Sequence, residues 1–120
     1  MFVNNDMNFI ADSVGDLIVV TLLGESLDAS TVQPLSDQVI AMAEDHMNML
    51  IDLRHVTFLD SSGLGLMLRI LRRLKLKGGE LKLCCTTPPV RSLLDLVRMN
   101  QVLRIFDNQR DGVASFGVEY

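Results

Sequence analysis

The stretch from Asp60 to Gly65 carries the side chains of this sequence that are best suited to nucleophilic attack or to accepting a phosphoryl group. It reads Asp-Ser-Ser-Gly-Leu-Gly, so one carboxylate and two hydroxyls stand directly before the glycines. Serine hydroxyls can act as nucleophiles or accept a phosphoryl group. The same side chains can also cap a helix by accepting hydrogen bonds from its free N–H groups. Spacing alone leaves both interpretations open, a functional site and a well-capped helix start.

The position of this stretch favours a functional site. It follows a predicted central strand and opens a predicted helix, at the carboxyl edge where open α/β sheets carry their functional groups. Gly63 and Gly65 leave the first helical turn almost bare, so another molecule can approach the backbone closely. Capping accounts for one Asp or Ser here, but it does not require the whole combination.

Three enzyme motifs fail on the same residues. A dinucleotide fingerprint needs a third glycine three places after Gly65, where Leu68 stands. A phosphate-binding P-loop needs Gly-Lys followed by Ser or Thr, a triplet that the sequence lacks. A serine hydrolase needs Gly-x-Ser-x-Gly and a histidine, and we expect the nearest histidine, His55, to pack or to face solvent. We therefore predict no catalytic residue and no enzyme activity.

The two cysteines are the neighbours Cys84 and Cys85. Adjacent residues on a strand point to opposite faces, so an internal disulfide would need a distorted peptide. Two cysteines fall short of a structural zinc set, and neither His46 nor His55 is at ligand spacing from them. We predict buried strand thiols in a reducing cytoplasm, with no metal site and no cofactor.

The charge balance argues against nucleic acid as a partner. The 120 residues carry a formal net charge of −4, whereas non-specific binding to DNA or RNA depends on positive charge. The basic segment from Arg69 to Lys77 is typical of the solvated face of an exposed helix. We therefore expect no nucleic-acid partner.

The pattern of apolar residues argues against insertion into a membrane. The longest apolar run, Leu17 to Leu23, is far too short to span a bilayer and has the length of a buried strand. Met1 to Asp12 contains no basic targeting region. We expect a cytoplasmic protein, and the length predicts a single domain over residues 1–120.

Strands and helices alternate along the chain. The predicted strands are Phe9–Val14, Leu17–Leu23, Met49–Leu53 continued loosely through Val56, Phe58 and Leu59, Glu80–Cys85, and Leu103–Phe106. The predicted helices run from a cap at Asp28, Ser30 or Thr31 to Asp45 or His46, from the Asp60 motif to about Leu76, after the prolines at 88–89, and as a last turn over Asp111–Phe116.

The periodicity of apolar residues predicts which face of each helix is buried. The expected core positions are Val32, Leu35, Val39, Met42 and Ala43 in the first helix, Leu64, Met67, Leu68, Leu71 and Leu74 in the second, and Val90, Leu93, Leu94 and Val97 in the third. The alternation of strands with such helices predicts an α/β fold, one small domain with a mixed or mostly parallel sheet packed by about four helices.

The octapeptide Phe58–Gly65 resembles the signature of the STAS domains, and in particular of the bacterial anti-sigma factor antagonists. The segment Leu22–Asp28 is similar to the turn after the family's second strand, and the pairs at 52–53 and 106–107 fall where the family has similar residues. The chain departs from the family at Glu25 and Ser26, which are two residues where many relatives have one.

This resemblance implies a partner-switching mechanism. The first serine after the aspartate is the phosphate acceptor in that family, which corresponds to Ser61 here, with Asp60 beside it and Asp28 on the neighbouring loop helping to arrange it. The implied partners are an anti-sigma factor that is also a serine kinase, which binds the unphosphorylated form, and a serine phosphatase that restores it. The implied partner-binding residues surround the acceptor, and they are Asp28, Leu59, Asp60, Ser61, Ser62, Gly63, Leu64, Gly65 and Met67.

The main alternative is a STAS-like accessory subunit of a larger complex, such as a transporter or a sensory assembly. In such a subunit the same surface is a permanent docking face. An accessory subunit has no need to keep an acceptor serine, and Ser61 is present here.

Overall fold

Turn residues and hydrophobic periodicity divide the chain into short strands and amphipathic helices. The computed structural model describes the backbone of residues 2–4 and the whole of residues 9–118. The strands are β1 (Phe2–Asn4), β2 (Phe9–Val14), β3 (Leu17–Leu22), β4 (Ser26–Leu27), β5 (Asn48–Asp52), β6 (Phe58–Leu59), β7 (Leu81–Cys84) and β8 (Ile105–Phe106). The helices are α1 (Ala29–Asp45), α2 (Ser61–Leu76), α3 (Pro88–Leu96) and α4 (Gln109–Ala114), with a 3₁₀ turn over Met99–Gln101.

Six of the strands in the described residues form a mixed sheet in the order β1-β2-β3-β5-β7-β8. The first three strands pair antiparallel, and β3, β5, β7 and β8 run parallel. The predicted hairpin between β2 and β3 is present, because Val14 pairs with Leu17 across the turn at Gly15 and Asp16. The predicted fold class, a mixed α/β sheet packed by about four helices, is confirmed.

Both faces of the central strands are buried, as the β-branched run of β3 predicted. Ile18 and Val20 belong to the larger core cluster, which α1, α2 and α3 complete on one face of the sheet. Leu17 and Val19 point to the other face, where they pack with Val113 of α4. This alternation follows from the two-residue period of a strand.

The predicted continuation of β5 through Val56, Phe58 and Leu59 is wrong. The carboxylate of Asp52 accepts a hydrogen bond of 3.0 Å from the backbone N–H of Arg54, so the chain turns away from the sheet. It then enters β6, which pairs in parallel with β4 in a separate two-stranded sheet. This small sheet holds the segment that leads into α2.

Two predicted core positions are also wrong. Leu68 is 37% exposed, because the helical period turns it away from the buried face that Leu66 and Ile70 occupy. Val97 is 44% exposed, because it follows the last residue of α3. The other caps and helix ends lie within a few residues of their predicted positions. No helix in the described ranges is both long and apolar enough to cross a bilayer.

The predicted threonine at the start of α3 occupies the N-cap position but does not cap the helix. The hydroxyl of Thr87 instead donates a hydrogen bond of 2.6 Å to the carbonyl of Val56. It therefore fastens the segment between β5 and β6 to the start of α3. Two prolines at 88 and 89 remove backbone N–H groups that would otherwise need a cap.

Candidate functional site

Asp60 joins the starts of the two long helices with one carboxylate. As the N-cap of α2, its Oδ1 accepts hydrogen bonds from the backbone N–H of Ser62 at 2.8 Å and of Gly63 at 3.2 Å. Its Oδ2 accepts a third bond, at 3.2 Å, from the backbone N–H of Ala29 at the start of α1. The N-terminal ends of α1 and α2 therefore lie side by side.

Asp28 is the N-cap of α1 and forms a capping box with Thr31. Its Oδ1 accepts bonds from the N–H and the hydroxyl of Ser30, at 2.9 and 2.7 Å, and these bonds hold the pKa of the Asp28 carboxyl below its usual value. The side-chain hydrogen bonds that Asp28 makes among the described residues go to Ser30 and Thr31, so Asp28 fixes the start of α1.

Ser61 occupies the first helical position of α2, and its side chain is exposed. Ser62, Leu64 and Gly65 are half-buried around it. An exposed hydroxyl at this place is accessible to a second protein, and its modification requires no movement of the core.

Gly63 allows α2 to sit directly on the small sheet. A Cβ atom built at this residue would lie 2.5 Å from the carbonyl oxygen of Leu27 and would overlap the side chain of Leu59. Only glycine fits this close approach between helix and sheet. Gly65 differs, because a Cβ there would have no atom within 4 Å.

Two predicted partner-binding residues lie inside the molecule. Leu59 is 6% exposed and Met67 is fully buried, and both belong to the main core cluster. The prediction that they contact a partner is therefore corrected: Leu59 of β6 and Met67 on the buried face of α2 pack into the core beneath the motif. The sequence placed both beside the motif but could not show which way each side chain points.

Phe58 is an exposed aromatic residue that the sequence analysis did not assign to the surface. It is 53% exposed in β6, three residues before Ser61. Half-exposed aromatic side chains are frequent anchors in protein interfaces. Adjacent residues of a strand point to opposite faces, so the sequence indicated that Phe58 and Leu59 could not both be buried. It did not show which of the two side chains points inward.

A second polar cluster lies at the carboxyl end of β5. Asp52 is fully buried, and Arg54 donates to both of its carboxylate oxygens, with Nη2 at 2.6 Å from Oδ2. The side-chain amide of Gln109 donates a further bond of 2.9 Å. Burial opposes ionisation of Asp52, but the bonds from Arg54 outweigh it, so the pKa of this carboxyl lies below its usual value.

The two thiols do not point to opposite faces, contrary to the prediction for neighbouring strand residues. Cys85 follows β7 with a φ of 61°, a left-handed conformation that breaks the strand alternation. The sulfur atoms of Cys84 and Cys85 and a carboxylate oxygen of Asp52 consequently lie within 4.8 Å of one another.

This group has the ligand types of a metal site. Asp52 and Cys84 are buried, whereas Cys85 is half-buried and follows the end of β7, so the prediction of a buried strand thiol is wrong for Cys85. Burial raises the pKa of both thiols, so they are protonated near neutral pH. The oxygens of Asp52 already accept hydrogen bonds from Arg54 and Gln109. The cluster holds the end of β5 against β7 and α4.

Comparisons with known proteins agree with this fold. The family model of the STAS domain matches residues 8–112. The chain is 32% identical over 105 residues to the anti-sigma F factor antagonist of Paenibacillus polymyxa, covering 85% of this chain and 88% of the relative. It is 28% identical over 96 residues to the anti-sigma-B factor antagonist of Bacillus subtilis, covering 80% and 87%. Both relatives are named as anti-sigma factor antagonists, and such antagonists are regulators without enzyme activity. This agrees with the prediction that this chain is not an enzyme.

Solved structures share the architecture. An anti-sigma factor antagonist domain from Planctomyces limnophilus matches with a TM-score of 0.84 at 19% identity, covering 91% of this chain and 97% of the other. The Bacillus cell fate determinant SpoIIAA in its phosphorylated form matches with a TM-score of 0.70 at 20% identity, covering 90% and 98%. At these identities the likeness concerns the fold.

Proposed function

This chain belongs to the STAS domain family, and from that premise we propose that it is an anti-sigma factor antagonist controlled by phosphorylation of Ser61. In the unphosphorylated form it binds an anti-sigma factor that is also a serine kinase. Phosphorylation releases it from this kinase, and a serine phosphatase restores the binding form. The proposed site of action is the cytoplasm.

The observation that carries the proposal is the exposed hydroxyl of Ser61 at the first position of α2, directly after the N-cap Asp60. Asp60 fixes the backbone around it through three hydrogen bonds to two helices. A kinase therefore meets an accessible serine in a rigid frame. The curated relatives of similar length, which are named as antagonists, support the same function.

The position of Ser61 also explains how a phosphate can change binding without unfolding the domain. A phosphoserine carries about −1.5 to −2 charges and adds strong acceptor oxygens. At a helix N-terminus these charges meet the positive end of the helix dipole, so the folded domain tolerates them. The repulsion and bulk then act on the partner, whose surface closely approaches the helix start.

The proposed partner-binding surface consists of the exposed and half-buried residues around the acceptor. Phe58 adds an aromatic side chain on one side of Ser61, and the half-buried Leu64 and Gly65 continue the surface along α2. Asp28, Asp60 and Gly63 hold the backbone of this surface in place, as do Leu59 and Met67 beneath it.

The first experiment is site-mapped mass spectrometry on the protein recovered from its own cells, in growth and under stress. We expect phosphate on Ser61 with an occupancy that differs between the two states. A Ser61→Ala variant should carry no phosphate, whereas the matched Ser62→Ala variant should be modified like the wild type.

Binding to the kinase gives the second readout. Ser61→Ala should bind as the wild type does, and Ser61→Asp should bind more weakly because it places a negative charge at the interface. If Ser61 carries no phosphate in either state and both variants bind alike, the proposal fails. The constitutive accessory subunit then becomes the better account, with the serine reduced to a residue in a helix start.

A further inference from the structure

One exposed face of α2 continues from the acceptor serine to the end of the helix. Ser61, Gly65, Leu68, Arg72 and Leu76 follow at steps of three and four residues, which places them on one side of the helix. Leu68 is 37% and Leu76 is 86% exposed. Ser61 and Arg72 are eleven residues apart, a rise of about 16 Å, so one bound segment can contact both residues.

The cations of α2 divide into two groups by what they contact. Arg73 pairs with Glu44 of α1. Lys77, at the C-cap, donates to the carbonyl oxygens of Ala43, Glu44 and His46, at the end of α1. These two cations hold the helices together and are occupied within the molecule.

Arg69 and Arg72 are not used in this way. Both are exposed, and within the part of the chain that the structure describes neither forms an ion pair. They line a groove of about 430 Å³ between α1 and α2, here called the arginine groove. Its other lining residues are small, apolar or uncharged: Ala29, Val32, Gln33, Ser62 and Gly65.

We infer that the arginine groove docks an acidic segment of the anti-sigma factor kinase. The inference rests on the proposed function, since the groove shares Ser62 and Gly65 with the proposed partner-binding surface. Two guanidinium groups without carboxylate partners offer paired N–H donors that match the geometry of carboxylates. The exposed Leu68 and Leu76 supply apolar contact along the same face.

A carboxylate-bearing protein segment fits the site better than a polyanion does. The chain has a formal net charge of −4, so a long nucleic acid or an anionic membrane is repelled by the rest of the molecule. A short acidic segment needs only the local field of the two arginines. The arginine groove therefore determines where the kinase binds along α2, and the phosphorylation state of Ser61 determines whether the kinase remains bound.

The test is the dissociation constant between the unphosphorylated domain and the purified kinase that modifies Ser61, measured at about 0.1 M and about 1 M salt. The Debye length falls from about 10 Å to about 3 Å between these conditions. We expect the double variant Arg69→Glu, Arg72→Glu to weaken binding at least about tenfold at the lower salt and much less at the higher salt.

The control is Arg110→Glu, which makes half of the charge change of the double variant, on α4, on the opposite face of the sheet. It should leave binding unchanged within about twofold, as expected for a charge remote from the interface. The neutral variant Arg69→Gln, Arg72→Gln should give an intermediate loss, and unchanged urea midpoints should show that each variant is folded. Replacing the contacting carboxylates of the kinase with lysine should restore binding of the double Glu variant.

The outcomes separate the inference from the function on which it rests. If the kinase binds the wild type and Ser61→Asp weakens it, but the double variant binds normally, the groove is not the docking site and the proposed function stands. If no kinase modifies or binds the wild type, both fail. Binding of the wild type to phosphatidylglycerol vesicles that the double variant loses, with kinase binding unchanged, would overturn the inference in favour of a lipid surface.

Discussion

At the scale of single residues, the start of α2 depends on groups that serve two elements at once. The carboxylate of Asp60 caps α2 and also accepts a bond from the backbone of Ala29 in α1. Gly63 brings the backbone of α2 against β4 and β6. The geometry around Ser61 therefore depends on the carboxylate of Asp60 and on a glycine, which has no side chain, at position 63.

Replacement of Asp60 should show both of its roles. Asp60→Ala removes all three hydrogen bonds and should lower the free energy of unfolding by about 1–2 kcal/mol. Asp60→Asn keeps an acceptor for α2 but cannot keep both oxygens, so we expect a smaller loss. Urea denaturation of the two variants and the wild type measures the difference. An equal loss in both variants would show that the charge of Asp60, not its capping geometry, is what matters.

The two glycines of the motif should respond in opposite directions to alanine. Gly63→Ala forces a methyl group against the carbonyl of Leu27 and should destabilise the domain by roughly 1–3 kcal/mol. Gly65→Ala meets open space and should stabilise α2 by roughly 0.5–1 kcal/mol, because alanine favours the helix. Thermal unfolding compares the pair directly. A destabilised Gly65→Ala variant would contradict the open geometry at that residue.

At the scale of elements, α1 and α2 pack as a pair because they are fastened at both ends. Asp60 joins their starts, and Lys77 joins the end of α2 to the last carbonyls of α1. A cation at a helix C-terminus also interacts favourably with the helix dipole. The arginine groove exists between two helices that are held parallel in this way.

Removal of the Lys77 ammonium should loosen the end of α1. We expect Lys77→Met, which keeps an apolar stem, to cost about 1 kcal/mol of unfolding free energy and to raise amide exchange rates in the last turn of α1. Lys75→Met is the matched control, because Lys75 is exposed on the same helix and has no bond to α1 among the described residues. Equal exchange rates in the two variants would argue against the capping role.

The cluster around Asp52 joins three other elements: the loop after β5, α4 and the end of β7. Its ion pair predicts how stability depends on pH. Because the folded pKa of Asp52 lies below the ordinary value, its contribution is complete above about pH 4 and is lost as the pH falls through the folded pKa.

Arg54→Met should change this pH dependence as well as stability. The variant leaves a buried carboxylate without its main partner, so the pKa of Asp52 should rise above its usual value and the domain should lose roughly 2–3 kcal/mol near neutral pH. The difference from the wild type should narrow as Asp52 is protonated at lower pH. Urea titrations between about pH 3 and 7 measure this. A constant difference across that range would show that Arg54 acts by packing alone.

At the scale of the whole molecule, the proposed partner-binding surface lies at the edge of a sheet whose two faces are both buried. The central strands pack under α1, α2 and α3 on one face and under α4 on the other. Ser61 is exposed outside this core, so a phosphate on its hydroxyl requires no repacking of the interior. Phosphorylation is therefore expected to act at the surface.

Comparison of amide chemical shifts between the phosphorylated and unphosphorylated protein tests this expectation. Changes should be large at residues 60–65 and at the neighbouring start of α1, which Asp60 contacts. They should be small in β8, at an edge of the sheet, and in α4, on the face of the sheet opposite to α2. Widespread shifts in those elements would indicate a conformational change of the domain and would count against a purely local switch.

The fold was predictable because apolar residues recur with the period of a strand in some segments and with the period of a helix in others. The buried run of β3, the cap at Asp28 and the stop after Leu76 all lie close to their predicted places. The errors occurred where a single side-chain contact redirects the chain. The bond from Arg54 to Asp52 ends β5 early, and the left-handed turn at Cys85 brings two neighbouring thiols together.

Local periodicity and capping chemistry, which are read along the chain, were enough to predict the α/β class and the position of the motif at the start of a helix. The choice of Ser61 as the candidate acceptor came from the resemblance of the motif to the STAS family. The packing of the folded chain was needed to show that Met67 and Leu59 are buried while Phe58 is exposed. It also showed that Arg69 and Arg72 line a groove, because the direction of a side chain depends on which elements pack against it.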